Sequence, residues 1–219
     1  MTDPGHVDFK TFETRREASE ALATALEKDL AAGIELKGMA SLVVSGGSSP
    51  TGMFQALRKR SLSWQDVCVI PSDERDVPPD HPDRNEAMIR RELLGEEATT
   101  ARLVSLIPPG DIPDHFDAVV LGMGDDGHTA SLFPGSPDLP EALCSEHKLA
   151  RLEVPRLGVY RISLTPRALL SSQKIYLLFF GSEKRLVCEQ ALRENDPLKL
   201  PVSIVLGQSR VPVAIYWAP

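Results

Sequence analysis

Short apolar runs of strand length recur along this chain, most of them separated by stretches with helical patterning, and no other feature constrains the fold as strongly. Ala40-Ser41-Leu42-Val43-Val44 is such a run, rich in β-branched residues and preceded by a helical pattern over residues 15–32. Further strands are expected at residues 67–70, 103–107, 118–121, 149–154, 161–164, 175–180, 202–206 and 213–217, with helices at 50–59, 86–94 and 183–193. Strands apolar throughout must be covered on both faces, and the intervening helices supply that cover. The class is therefore α/β, an open, mostly parallel sheet with helices on both faces. Residues 77–82 and 135–140 read as loops, not linkers, because strand patterns continue on either side. The expectation is one domain spanning residues 1–219.

Composition narrows the function classes. A hydrophobic content of 42% suffices for a sizeable core, while a net charge of −7 without any Lys/Arg block argues against nucleic acid and anionic membranes as partners. The longest apolar runs are strand length, far short of the ~20 residues that span a bilayer. Asp3, His6 and Asp8 replace the basic segment of a secretory signal, so the cytoplasm is the expected location. Cys68, Cys144 and Cys188 are widely spaced, which speaks for incidental thiols over a disulfide framework or a zinc site.

In open α/β sheets ligands bind beyond the carboxyl ends of the strands, so the residues after each strand carry the functional information. The first strand runs into Ser45-Gly46-Gly47-Ser48-Ser49-Pro50, where Ser49 suits an N-cap and Pro50 the first helical turn. Its backbone N–H groups form either a phosphate cradle or an ordinary turn, and the segment is neither a Walker A loop nor a dinucleotide fingerprint. The next strand ends in Ser72-Asp73-Glu74-Arg75, a solvated turn or a place where a guanidinium grips an anionic oxygen. His81 and Asn85 follow, to line the same cleft or to cap the next helix.

The segment from Val119 to Pro134 says most. Gly122-Met123-Gly124-Asp125-Asp126-Gly127 formally satisfies G-x-G-x-x-G, but two carboxylates lie where a pyrophosphate would approach, and Phe133-Pro134-Gly135 leaves barely one turn of helix. Both facts count against a nicotinamide cofactor. His128, placed where the next helix would open, is better explained as a base oriented by Asp126. Asp125, Asp126 and His128 lack a third spaced ligand, so a metal site ranks below. Arg161 and Lys184 are each ordinary surface charges alone, yet together with the Gly46-Gly47 loop they suit a phosphate dianion.

These elements in this order resemble the 6-phosphogluconolactonase family, within the wider group that includes glucosamine-6-phosphate deaminase. The matching pieces are Ser45-Gly46-Gly47-Ser48-Ser49-Pro50, Asp73-Glu74-Arg75 with Val77-Pro78 and Asn85, the run from Gly122 through His128 to Gly135, Arg161-Ile162-Ser163-Leu164-Thr165, and Gly181-Ser182-Glu183-Lys184. Departures fall at Asp76, often aromatic in the family, at Arg84, usually Ser, at the proline-poor Pro155-Arg156-Leu157-Gly158, and at a C-terminus lacking the acidic tail often seen after Trp217. The resemblance implies a three-layer Rossmann-like domain that hydrolyses 6-phospho-D-glucono-1,5-lactone without organic cofactor or metal, as monomer or homodimer. It implies His128 as general base and Asp126 as its orienter. Ser48, Arg161 and Lys184 are assigned to the phosphate. Gly46, Gly47, Gly124 and Arg75 are the candidates for meeting the oxyanion, and Asp73 belongs to the substrate site. A deaminase or isomerase of the group would carry Phe-Asn-Glu-Pro after the His, where this chain has Leu132-Phe133-Pro134-Gly135. A non-catalytic sugar-phosphate sensor would share the pocket but have no use for Asp126-Gly127-His128.

Overall fold

The structure, a computed structural model, describes residues 7–154 and 158–219, so the expectations for Asp3, His6 and Pro155-Arg156-Leu157 lie outside the described residues. The chain alternates strand and helix: β1 (Val7–Thr11), α1 (Arg15–Lys37), β2 (Ala40–Val44), α2 (Thr51–Leu57), β3 (Val67–Pro71), β4 (Asp73–Arg75), α3 (Asn85–Glu92), β5 (Arg102–Leu103) and β6 (Ala118–Leu121). Then follow α4 (Leu139–Cys144), β7 (Leu149–Val154), β8 (Val159–Leu164), α5 (Pro166–Leu169), β9 (Ile175–Phe180), α6 (Ser182–Glu194), α7 (Ser203–Leu206) and β10 (Val213–Ala218). Seven strands form one parallel sheet in the order β1-β10-β9-β6-β2-β3-β5. A separate antiparallel sheet, β4-β8-β7, was not part of the expectation and brings Arg75 opposite Arg161.

Side-chain alternation along the central strands explains the layers. Leu42 and Val44 of β2 face one apolar cluster with Leu22, Leu26 and Leu30 of α1 and Phe54 of α2, while Val43 faces a second with Leu139 of α4, Ala191 of α6 and Val205 of α7. Each fully buried leucine contributes about 1.5–3 kcal/mol of transfer free energy, so the sheet is held from both sides. Strand order reverses between β2 and β6, and the cleft described below opens beyond their carboxyl ends, as the topology dictates.

Several boundaries differ from the sequence expectation. Residues 202–206 are not a strand: Ser203–Leu206 is a buried helical turn, since a four-to-eight-residue apolar run carries no period that distinguishes a strand from a buried helix. The expected strand at 103–107 shrinks to Arg102–Leu103, because Pro108 and Pro109 have no N–H to extend a ladder and Leu106 turns back to bridge Pro109. β1 went unrecognised, its Asp8 and Lys10 masking an edge strand. α1 runs past Gly33 to Gly38, which adopts the left-handed capping conformation. Helix α4 takes in Leu139 and Pro140 of the expected loop at 135–140. Pro50, not Ser49, occupies the N-cap position of α2, and no side chain caps it. Cys68 and Cys188 are buried and Cys144 is exposed, all as free thiols, with burial pushing Cys188 up to about 12. Among the described residues no helix is long and apolar enough to cross a membrane.

Candidate active site

A cleft of about 380 Å³ opens at the carboxyl ends of β2 and β6. Gly46, Gly47 and Ser48 reach it from the loop after β2, Asp73 and Arg75 from β4, and Gly124 and His128 from the loop after β6. Arg161 of β8 and Lys184 of α6 complete the wall. Of the residues assigned in the sequence to catalysis or substrate binding, all but Asp126 line the cleft, and Asp126 is bonded to His128, which does; Asn85, offered as a possible cleft residue, lines it too. His81 stays outside: it is half-buried, and its Nδ1 accepts the Asp83 backbone N–H at 3.2 Å.

The loop carrying His128 is closed by its own hydrogen bonds, not by a helix. The backbone N–H of Gly124 donates to the His128 carbonyl at 2.9 Å, that of Gly127 to the Gly124 carbonyl at 3.0 Å, and Thr129 Oγ1 to the Gly122 carbonyl at 2.9 Å. The next helix opens only at Leu139, so the expectation that His128 marks a helix start is corrected. Asp126 Oδ1 accepts both the His128 backbone N–H at 3.1 Å and the ring Nδ1 at 2.5 Å. A carboxylate on Nδ1 fixes the proton there and leaves Nε2 with the lone pair. The ring of Phe133 stacks on His128 with centroids 4.1 Å apart, and the Arg161 guanidinium lies 5.6 Å from the centroid of the Phe133 ring. Phe133 was not foreseen, since nothing in a turn without periodicity indicates which way an aromatic ring points.

Close approach explains one of the glycines at the cleft. A Cβ on Gly46 would stand 2.1 Å from Asn85 Oδ1, so only glycine lets the β2 loop meet Asn85. Asn85 Nδ2 donates to the Asp73 carbonyl at 2.7 Å and its Oδ1 accepts from Arg75 Nη1 at 3.1 Å. Asn85 thus couples two walls of the cleft.

The Asp73-Glu74-Arg75 cluster divides its work. Asp73 is buried and accepts from Ser131 Oγ at 2.6 Å and Ser72 Oγ at 2.8 Å. Glu74 is fully buried, with Oε1 accepting the Arg75 and Asn85 backbone N–H groups at 2.7 and 2.8 Å and Oε2 that of Glu86 at 2.9 Å. It meets the free N–H groups of the first turn of α3, and Arg84, itself buried, lies 3.5 Å away. That supporting role was missed because a charge directly after a strand reads as solvated. Asp76, a departure from the family pattern, pairs with Arg151 at 2.8 Å.

The cations differ in how well they are compensated. Lys184 Nζ donates to the Met123 carbonyl at 2.9 Å and lies 3.8 Å from Asp125, whose side chain is 80% exposed. Arg161 has a 3.5 Å contact from Nη1 to Asp73, while its buried Nε finds no hydrogen-bond partner, and burial lowers its pKa. A desolvated guanidinium with one long contact is a site for an anion. Among the described residues no group of three or more His, Cys, Asp and Glu side chains is arranged to hold a metal ion.

Comparison with known proteins agrees with this geometry. The family model described as glucosamine-6-phosphate isomerases/6-phosphogluconolactonase matches residues 13–111 and 95–217. A 6-phosphogluconolactonase of Rhizobium meliloti is 36% identical over 225 residues, covering 95% of this chain and 97% of that protein. One from Pseudomonas aeruginosa is 36% identical over 234 residues, covering 99% and 97%. The crystal structure of a 6-phosphogluconolactonase from Shewanella baltica superposes with a TM-score of 0.94 at 35% identity, covering 99% of each chain.

Proposed function

The chain belongs to the glucosamine-6-phosphate isomerase/6-phosphogluconolactonase family, and we propose that it hydrolyses 6-phospho-D-glucono-1,5-lactone to 6-phosphogluconate. The observation that carries the reading is the Asp126-His128 pair at 2.5 Å on the wall of a cleft that also holds Arg161 and Lys184. A base and a pair of cations lining one cleft suit a substrate that carries both a lactone carbonyl and a phosphate.

In this mechanism water attacks the lactone carbonyl carbon and His128 Nε2 takes its proton. Asp126 holds the ring and stabilises the imidazolium that forms. Backbone N–H groups at Gly46, Gly47 and Gly124, with the Arg75 guanidinium, are the donors available to the oxyanion. The tetrahedral intermediate collapses by breaking the bond to the ring oxygen, which receives the proton back from His128, and the new carboxyl group ionises. Ser48, Arg161 and Lys184 hold the phosphate, and Asp73 fixes Arg161 from behind. The reaction needs neither cofactor nor metal, and the enzyme works in the cytoplasm as one domain, as monomer or homodimer.

The deaminase reading fares worse because Leu132-Phe133-Pro134-Gly135 supplies no additional carboxylate after the His. Acid release from freshly generated 6-phosphogluconolactone, measured against spontaneous hydrolysis, tests the proposal. A rate well above background that survives exhaustive chelation is expected. Tight binding of 6-phosphogluconate without turnover would instead support a sensor.

A further inference from the structure

A second cavity of about 630 Å³ opens beside the cleft and shares Ser48, Ser49 and Lys184 with it. Its walls come from the first turns of α1, from α2 and the residues after it, and from the end of β9. They bring Arg15, Arg16 and Lys59 to the same space as Lys184. The carboxylate in its lining, Glu20, is bound to Arg60 at 3.1 Å. Arg15 donates to the Pro219 carbonyl at 3.3 Å and lies 5.4 Å over the Phe180 ring. Among the described residues the side chains of Arg16 and Lys59 make no hydrogen bond or ion pair, although Arg58 and Arg60, which flank Lys59, are tied to Glu96 and Glu20.

A concavity lined by four cations, two of them, Arg16 and Lys59, without a side-chain partner among the described residues, focuses positive potential and raises the local concentration of anions. That concentration of charge stands out in a chain of net charge −7. Cations on separate elements around a space larger than the cleft match a ligand whose charge is spread over linked groups. We propose that this groove binds a polyphosphate, with one phosphoryl group between Lys184 and Ser48 and another between Arg16 and Lys59. Because Lys184 and Ser48 serve both cavities, such a ligand excludes the sugar phosphate. This last consequence rests on the phosphate site proposed above; binding in the groove does not.

Inorganic pyrophosphate and a nucleoside diphosphate both offer this chemistry, and calorimetric titration of the protein with pyrophosphate, ADP and orthophosphate at matched ionic strength separates them. Pyrophosphate is expected to bind at least about tenfold more tightly than orthophosphate, as one further charge-assisted contact implies. ADP tighter than pyrophosphate would identify a nucleotide whose base packs near Phe180, and equal affinity would identify the phosphate chain alone, either result supporting the proposal. The Arg16→Ala/Lys59→Ala double variant, with its fold checked by thermal melting, is expected to lose that tenfold while binding 6-phosphogluconate as before. Pyrophosphate no tighter than orthophosphate, an unchanged double variant, or equal weakening of 6-phosphogluconate would each overturn it. None of these readings depends on lactone turnover, so failure here is distinguishable from failure of the hydrolase proposal.

Discussion

Gly124 leaves open the space that His128 occupies: a Cβ there would stand 2.1 Å from His128 Nδ1 and 2.7 Å from Asp126 Oδ1. The base and its orienting carboxylate therefore depend on a residue without a side chain. Gly124→Ala is expected to push the imidazole off Asp126 and lower kcat by about 10²–10⁴-fold, the range general-base catalysis supplies. Circular dichroism and melting temperature should stay close to wild type, since the atoms nearest that Cβ belong to the partly exposed His128 and Asp126 side chains and not to the apolar core. Wild-type kcat in this variant would mean that the pair is not used.

Glu74 acts on stability first. The Glu74 and Arg84 side chains are 0% and 2% exposed, and Glu74→Gln removes one of the two carboxylates around the buried guanidinium, leaving Glu86 at 2.8 Å. Because Glu86 still pairs with Arg84, the loss, read as a lower urea midpoint, is expected below the about 3–5 kcal/mol of a fully broken buried pair. Replacing Arg84 by Met in the same chain should restore part of that loss, and no restoration would show that the helix cap, not the ion pair, carries the effect.

Phosphate recognition should be separable from chemistry. Arg161→Ala and Lys184→Ala are each expected to lower kcat/KM for the phosphorylated lactone roughly tenfold or more. Both variants should treat unphosphorylated gluconolactone, a poor substrate, much as wild type does. Equal kcat/KM of the wild type for the two lactones would remove the phosphate from the account.

Much of this was legible in the sequence, for a physical reason. Parallel strands buried on both faces leave a plain apolar signal, and the topology then puts Gly46, Gly47, Ser48, Gly124 and His128 at one edge without further information. Arg161 and Lys184 lie far along the chain, and the family resemblance supplied their grouping more than any local pattern did. What stayed illegible depends on tertiary context. The turn at Ser203–Leu206 has the composition of a strand and is helical because of where it packs. The burial of Glu74 and the stacking of Phe133 on His128 depend on neighbours remote in sequence.

The most direct test of the central claim is the pH dependence of kcat for His128→Asn beside wild type. Wild-type kcat should fall on the acid side as the imidazole protonates. The variant should lose about 10²–10⁴-fold in kcat together with that acid limb, while its inhibition by 6-phosphogluconate stays unchanged. A His128→Asn enzyme with wild-type kcat and the same acid limb would contradict the account and place the base elsewhere.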